Sequence, residues 1–473
     1  MNEMSPLFDL RSLRQMRGRR QRDLAYEIGV SVRDLMKLER GLMPLDNTIK
    51  RRIVDALQFD FAHIEGLTEL YRSRECGEGY ITAKSELKTT INRRKELLPN
   101  KKYVLDLFCG VGGLSSGFEQ IQDFQVVGGV DLLGDRLDTF SLNHATANAY
   151  GQDIRSIATD VLDDENPRPY VIVGGPPCQG FSSIRPFRNV DWADPRNNLA
   201  EEFCRIVNDL RPEWVVFENV VGLLTHEQGR SVRAIQEAFE EIGYRTEARV
   251  LNSAYYGVPQ RRERLIIIGS LKKKLFNWPV PTHQIDARSM VGRSSLLIKP
   301  NENLRFELLP AVTLDDALHD LPKLQSGEAS DQYRKDVIST DYEVFIRNDA
   351  IKLTHHEATL HSKKMLEIIR HSGANIHALP HGLVTSGFSS CYSRLSANEP
   401  SVTLTVNFVH PASNRCIHPH QDRALTPREG ARIQGFFDTF DFVGSRAQIV
   451  KQIGNAVSPL FGRKIAESIL LSD

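Results

Sequence analysis

Val104-Leu-Asp-Leu-Phe-Cys-Gly-Val-Gly-Gly-Leu-Ser-Ser-Gly-Phe-Glu119 is the stretch on which the fold turns. An apolar run ends at Asp106-Leu-Phe-Cys, glycines follow at 110, 112 and 113, and a helix-compatible pattern begins at Leu114. Glycines at such a turn let the backbone approach a ligand, and the helix start offers unpaired N–H groups. Asp131 closes the next apolar run about twenty residues on, where an acid can accept hydrogen bonds from ribose hydroxyls. Alone, the stretch reads either as the pocket of a nucleotide-like cofactor or as a tight structural turn.

Outward from it, apolar runs at 103–108, 126–130, 170–173, 214–217 and 265–269 alternate with helix-like segments at 200–210 and 231–242. Strands alternating with helices predict βαβ units and a mostly parallel sheet. The order weakens after residue 270. Residues 323–390 are polar and loop-rich, and regular apolar structure returns near 400, with a helix expected from about Pro459.

Two of these runs end in reactive side chains. Val171-Ile-Val-Gly-Gly-Pro-Pro-Cys178-Gln-Gly-Phe-Ser182 presents a cysteine on a proline-stiffened turn, where open α/β sheets bind ligands. A rigid loop tip is a poor place to bury a small apolar residue, so the thiol reads as a nucleophile. Trp214-Val-Val-Phe-Glu218-Asn ends in an acid at the equivalent edge, either a helix cap or a catalytic acid. Gln260-Arg-Arg-Glu-Arg264 enters the last of the runs; its arginines suit a solvated face, a phosphate or a base oxygen.

Asp106-Leu-Phe-Cys-Gly-Val-Gly-Gly, Gly175-Pro-Pro-Cys-Gln-Gly-Phe-Ser, Glu218-Asn-Val and Gln260-Arg-Arg-Glu-Arg are followed by two closing stretches. These are Leu425-Thr-Pro-Arg-Glu-Gly-Ala-Arg-Ile-Gln-Gly-Phe and Gln452-Ile-Gly-Asn-Ala-Val-Ser-Pro459. In this order they resemble the motifs of DNA cytosine-5 methyltransferases, over roughly residues 101–473. Two departures are small: Ser458 stands where proline is commoner, and the nucleophile loop carries a longer Arg185–Asn197 stretch. The tRNA-modifying branch of the same fold typically reads Pro-Pro-Cys-Gln-Pro-Phe-Thr, so Gln-Gly-Phe-Ser favours DNA. A regulator whose methyltransferase part is inactive is disfavoured by the full catalytic set.

The resemblance implies an α/β, Rossmann-like sheet that uses S-adenosylmethionine, and transfer of its methyl group to C5 of a cytosine flipped out of the duplex. It implies Cys178 as nucleophile, Glu218 as the acid on N3, Arg264 on the base oxygen and Arg262 supporting the loop or a phosphate. The cofactor would meet Asp106, Phe108 (stacked on adenine), Gly110, Gly112, Asp131 (ribose), Asp153 (adenine amine), Pro176 and Asn455. Gln179 and Ser182 would contact DNA, and no metal is needed.

Residues 323–390 hold the place of the family's target-recognition domain. Six of the fourteen histidines lie there (355, 356, 361, 371, 377, 381), at spacings that fit no familiar zinc pattern. Residues 1–70 read as short helices without a strand candidate. Gln21 to Gly41 resembles the helix-turn-helix of phage-repressor-like regulators, placing Gln21, Ser31, Val32, Arg33, Met36 and Lys37 toward DNA. The alternative is a helical bundle for packing or dimerisation. The expected domains are therefore 1–70 (helix-turn-helix), 71–101 (linker), 102–322 and 391–473 (catalytic) and 323–390 (recognition).

Bulk composition is less informative. Sixty Lys+Arg balance sixty Asp+Glu, so DNA binding must rest on local surfaces, such as the surplus of six cations over residues 1–102. Six cysteines without CxxC spacing argue against a disulfide framework, and with no signal-like start they suit a cytoplasmic protein, bacterial or phage-encoded. Double-stranded DNA, a cognate restriction endonuclease and a dimer through the N-terminal module are the expected partners; no membrane is expected.

Overall fold

The computed structural model describes residues 10, 14, 20–38, 47–57, 97–177, 199–285, 289, 294–300, 307–384 and 387–473. The chain divides into two compact units, Met1–Leu87 with Asp191–Asn197, and Lys88–Val190 with Asn198–Asp473.

In the first unit, α1 (Gln21–Glu27), α2 (Val32–Leu38) and α3 (Asn47–Leu57) enclose Leu24, Ala25, Ile28, Leu35, Leu38, Ile53 and Leu57. Gly29 turns the chain between α1 and α2 at φ +70°, and Arg52 donates to Ile28 O at 3.2 Å. Ser31 caps α2, accepting from Asp34 N at 3.0 Å and donating to the Asp34 carboxylate at 2.7 Å. That hydroxyl hydrogen bond, with Lys37 close by, holds the Asp34 carboxyl below its usual range.

The second unit is built on β1 (Lys102–Leu107), β2 (Phe124–Asp131), β3 (Asn148–Gly151), β4 (Val171–Gly174), β5 (Trp214–Val220), β6 (Arg245–Asn252), β7 (Gln260–Arg261) and β8 (Glu263–Ser270). Seven of them form one sheet in the order β3-β2-β1-β4-β5-β8-β6. All run parallel except β8, which is antiparallel to both β5 and β6. β3 and β6 were not expected from the sequence. The first is four residues long, and the second alternates polar residues along a strand at the sheet's edge.

Period-two alternation sends successive residues to opposite faces. Leu105, Val215, Phe217, Leu265 and Ile267 meet α6 (Leu199–Leu210) and α7 (Arg230–Glu241) through Phe203, Ile206 and Phe239. Val104, Val126, Val173, Val216, Ile266 and Ile268 meet the other side, through Leu114, Phe118 and Phe140. Those belong to α4 (Gly113–Glu119) and α5 (Gly134–Asn143); the final helix, α12 (Pro459–Ser472), joins them with Phe461, Ile465 and Ile469.

The contact between α4 and α12 is made of backbone. A Cβ on Gly117 would lie 2.3 Å from Pro459 O and Arg463 N, and one on Gly462 would lie 2.5 Å from Leu114 O. The last helix thus lies directly behind the glycine turn.

A second core gathers the later chain around Leu314, Tyr342, Leu404, Phe408, Phe436 and Ile453. It involves α8 (Asp341–Arg347), α10 (Pro427–Gln434) and α11 (Arg446–Asn455), while α9 (Lys363–Arg370) contributes no residue to it. The segment 323–390 is fastened to this core on its N-terminal side. Tyr333 donates to Asp438 at 2.7 Å and Tyr342 to Arg432 O at 2.7 Å, while Leu353 is buried.

Candidate active site

The strand order reverses between β1 and β4, and in open parallel sheets ligands bind outside the C-terminal ends of the strands at such a switch. β1 ends at Leu107, in register with Gly174 of β4, and Gly174 in turn faces Phe217, the residue before Glu218. The glycine turn, the start of the cysteine loop and the acid therefore share one edge because parallel registry puts them there.

At the first of these, Phe108 and Gly110 both have positive φ (+59° and +55°), and nothing lies within 4 Å of a Cβ added to Gly110. Gly112, at φ +82°, sits over His144, whose Cε1 would be 2.2 Å from an added Cβ. Asp131 braces the turn, accepting from Gly110 N and Leu133 N, both at 2.9 Å. A carboxylate has about four lone-pair sites, so two of its own remain for a ligand. Burial pushes the Asp131 carboxyl up from its usual range.

Asp106 is 1% exposed, and its Oδ2 has no hydrogen-bond partner among the described residues. Burial raises its pKa to about 7, against the effect of a hydrogen bond from Ser115.

The acid lies one strand away from the cysteine strand. Glu218 is 8% exposed and accepts from Arg264 Nε at 2.9 Å, across the β5–β8 pairing. Its neighbour Asn219 donates from Nδ2 to Pro176 O at 3.1 Å, and a Cβ on Gly175 would stand 2.9 Å from Glu218 Oε2. The acid thus abuts Gly175 and its neighbour holds Pro176, the two residues that lead into Pro177 and Cys178. Arg262 is 5% exposed; burial first, and then the charge of Arg264, pull its pKa well down.

A family profile for C-5 cytosine-specific DNA methylases matches residues 103–471. The chain belongs to that family. The methylase is 33% identical over 371 residues to type II methyltransferase M1.HphI of Haemophilus parahaemolyticus, covering 77% of this chain and 86% of that one. It is 34% identical over 381 residues to type II methyltransferase M.NgoFVII of Neisseria gonorrhoeae, covering 78% and 87%. A solved structure of a DNA modification methyltransferase encoded within an E. coli prophage superposes with a TM-score of 0.58 at 25% identity, over 78% of this chain and 99% of that chain. The methylase is accordingly a DNA (cytosine-5)-methyltransferase that uses S-adenosylmethionine.

The switch-point edge suits that cofactor. The unpartnered Asp106 Oδ2 calls for a donor, and S-adenosylmethionine carries an ammonium and two ribose hydroxyls. The open approach at Gly110 and the free lone pairs of Asp131 lie on the same turn. Asp153, expected on the adenine amine, is held by Arg155, whose Nε and Nη2 donate to its carboxylate at 3.0 and 2.6 Å and whose backbone N donates at 3.0 Å. Asn455, at the end of α11, is exposed. Cys178, Gln179 and Ser182 lie outside the described residues.

Sequence reading missed the support beneath the turn. His144 stacks on Phe140 with centroids 4.3 Å apart, and its Nδ1 meets Phe140 O at 3.1 Å. A carbonyl only accepts, so Nδ1 carries the proton and Nε2 is left as an acceptor, with the Ser115 and Ser116 hydroxyls each at 3.3 Å. Burial lowers the His144 pKa to about 4, which keeps the ring neutral under the glycine turn. A lone histidine at the end of a helix pattern carried no sequence signal for this.

Several histidines of 323–390 are tied into the fold. His355 meets Asp441 at 2.8 Å, His356 meets Thr426 Oγ1 and Pro322 O, and His361 accepts from Ala424 N. Among the described residues no three His, Cys, Asp or Glu converge on a metal position, and no helix is long and apolar enough to cross a membrane.

Proposed function

We propose that the methylase modifies a cytosine flipped out of a specific DNA sequence, as the modification enzyme of a restriction–modification system or as an orphan methylase, in the cytoplasm of a bacterium. One observation carries the residue assignment. Glu218, held by Arg264, lies against Gly175, and its neighbour Asn219 holds Pro176 O, where the cysteine loop begins.

In this reading the Cys178 thiolate adds to C6 of the cytosine while Glu218 protonates N3, so electron density builds at C5. Bound S-adenosylmethionine supplies an electrophilic methyl group. With the methyl on C5 and the donor departing as S-adenosylhomocysteine, a base removes the C5 proton, the bond from Cys178 to C6 breaks to release the thiolate, and N3 returns its proton to Glu218. Arg264 holds the base oxygen and keeps Glu218 oriented, and Arg262 braces the same strand. Asp106, Phe108, Gly110, Gly112, Asp131, Asp153, Pro176 and Asn455 border the cofactor; Gln179 and Ser182 contact DNA, and 323–390 reads the sequence. The names of the type II relatives support a cognate endonuclease as partner.

Bisulfite sequencing of DNA incubated with purified protein and S-adenosylmethionine should return one short protected motif. Conversion of every cytosine would sink the reading.

The N-terminal unit, on this reading, is a separate DNA-binding module. Arg33 and Lys37 lie on α2, and the Ser31 cap fixes how that helix begins. It binds as a dimer to an inverted repeat near its own promoter, with half-sites about one helical turn apart. A nuclease footprint there should vanish in an Arg33→Ala/Lys37→Ala protein that still methylates. Poor methylation by that protein at moderate salt would instead assign the module to substrate binding.

A further inference from the structure

A line of buried polar side chains runs between the arginine strand and the turn after α11. Gln260 and Gln434 are both fully buried. Gln260 Nε2 donates to Gln434 Oε1 and to Ile433 O, while its Oε1 accepts from Leu404 N at 3.0 Å. Gln434 Nε2 in turn donates to Ala456 O. Two residues along from Gln260, Arg262 reaches the same two segments, donating to Leu404 O at 3.3 Å and to Asn455 O at 3.5 Å.

Both backbone groups of Leu404 and the consecutive carbonyls of Asn455 and Ala456 are thus held from one strand and one helix. The segments also touch directly, since a Cβ on Gly454 would lie 2.4 Å from Thr405 O. Two residues beyond Arg262, Arg264 holds Glu218. Such side-chain amides, satisfied on both ends in a dry interior, fix relative position more sharply than apolar packing does.

We propose that Gln260 and Gln434 are positioning residues, which hold the Asn455 turn in register with Arg264 so that target DNA and S-adenosylmethionine tighten each other's binding. The proposal rests on the reading above in one respect: Arg264 faces the base and Asn455 the cofactor. Coupling of this kind is reciprocal, so it can be measured from either ligand.

The probe is S-adenosylhomocysteine, which has no methyl to transfer. Its dissociation constant is measured by calorimetry on the full chain, with and without a duplex carrying the methylated motif. Wild-type protein should bind it at least about fivefold more tightly with DNA present. In Gln434→Met that ratio should fall toward one, with the affinity without DNA little changed and the melting temperature lowered only by what an unpaired Ala456 O costs. Gln260→Met removes the donor to Gln434 and the acceptor for Leu404 N, so it should lose the coupling as well.

A wild-type ratio near one overturns the proposal, as does a ratio retained in either folded variant. A purely structural role would lower melting temperature and leave the ratio intact. Wild-type protein that binds no S-adenosylhomocysteine at all would overturn the cofactor reading and this proposal together. Normal binding without coupling overturns only the proposal.

Discussion

Cys178→Ala protein should fold, bind cofactor and methylate DNA at least about a thousandfold more slowly than wild type. Removing a covalent nucleophile takes away the step that makes C5 reactive, while binding and electrostatic contributions remain. The expectation is sharpened by a suicide substrate. DNA with 5-fluorocytosine at the target position should become covalently attached to wild-type protein, because fluorine cannot leave C5 as a proton does. The attachment should be absent from the alanine variant. Glu218→Gln should slow methyl transfer too, since the amide cannot give N3 a proton, yet it can still hydrogen-bond near Arg264. Gel mobility under denaturing conditions and incorporation of labelled methyl groups read the two outcomes. Turnover by Cys178→Ala within tenfold of wild type would end the nucleophile assignment.

The largest effect on stability should come from Arg432, far from any reacting atom. Its guanidinium is fully buried and donates to Asp438 through Nε at 3.0 Å and Nη2 at 2.7 Å, and to Asp320 and Ala317 O through Nη1. Burial opposes its charge, but Asp438 and Asp320 overcome that and raise its pKa. Arg432→Met would leave two carboxylates in a dry interior without their main partner, at a cost of about 3–5 kcal/mol. Denaturant unfolding should show that loss as a lower midpoint with little change in slope. Replacing Asp320 and Asp438 by leucine in the same protein should recover part of it, since an apolar cluster of similar volume needs no compensation. A loss below about 1 kcal/mol for Arg432→Met would show that water reaches the cluster.

These two cases mark where sequence was informative. The strand ends at Asp106, Gly174 and Glu218 were readable, because glycine and proline punctuate them and their side chains are wrong for a core. β1, β2, β4, β5 and β8 fell within a few residues of the expected runs, as did α6, α7 and the start of α12. The strand order was not readable, since pairing β1 with both β2 and β4 and reversing β8 depend on partners distant in the chain. Nor was the burial of Arg423, Arg428 and Arg432. Arginines around a helix ordinarily signal a solvated face, and only three-dimensional placement of Glu429, Asp438 and Asp320 reverses that. The acid-to-arginine pair was half visible: both residues were candidates, but their 2.9 Å contact follows from the antiparallel β5–β8 register.

The backbone contact of α12 on α4 also sets an order of events during synthesis. A chain leaving the ribosome exposes β1 and the glycine face of α4 long before Pro459 has been added, and domains settle only as their parts emerge. Pairings between such distant stretches close late, because a long loop must be drawn in before any contact rewards it. The backing of the glycine turn is therefore among the last pieces to lock. A nascent chain can already carry its cysteine loop and its acid and still lack the helix that backs the glycine turn.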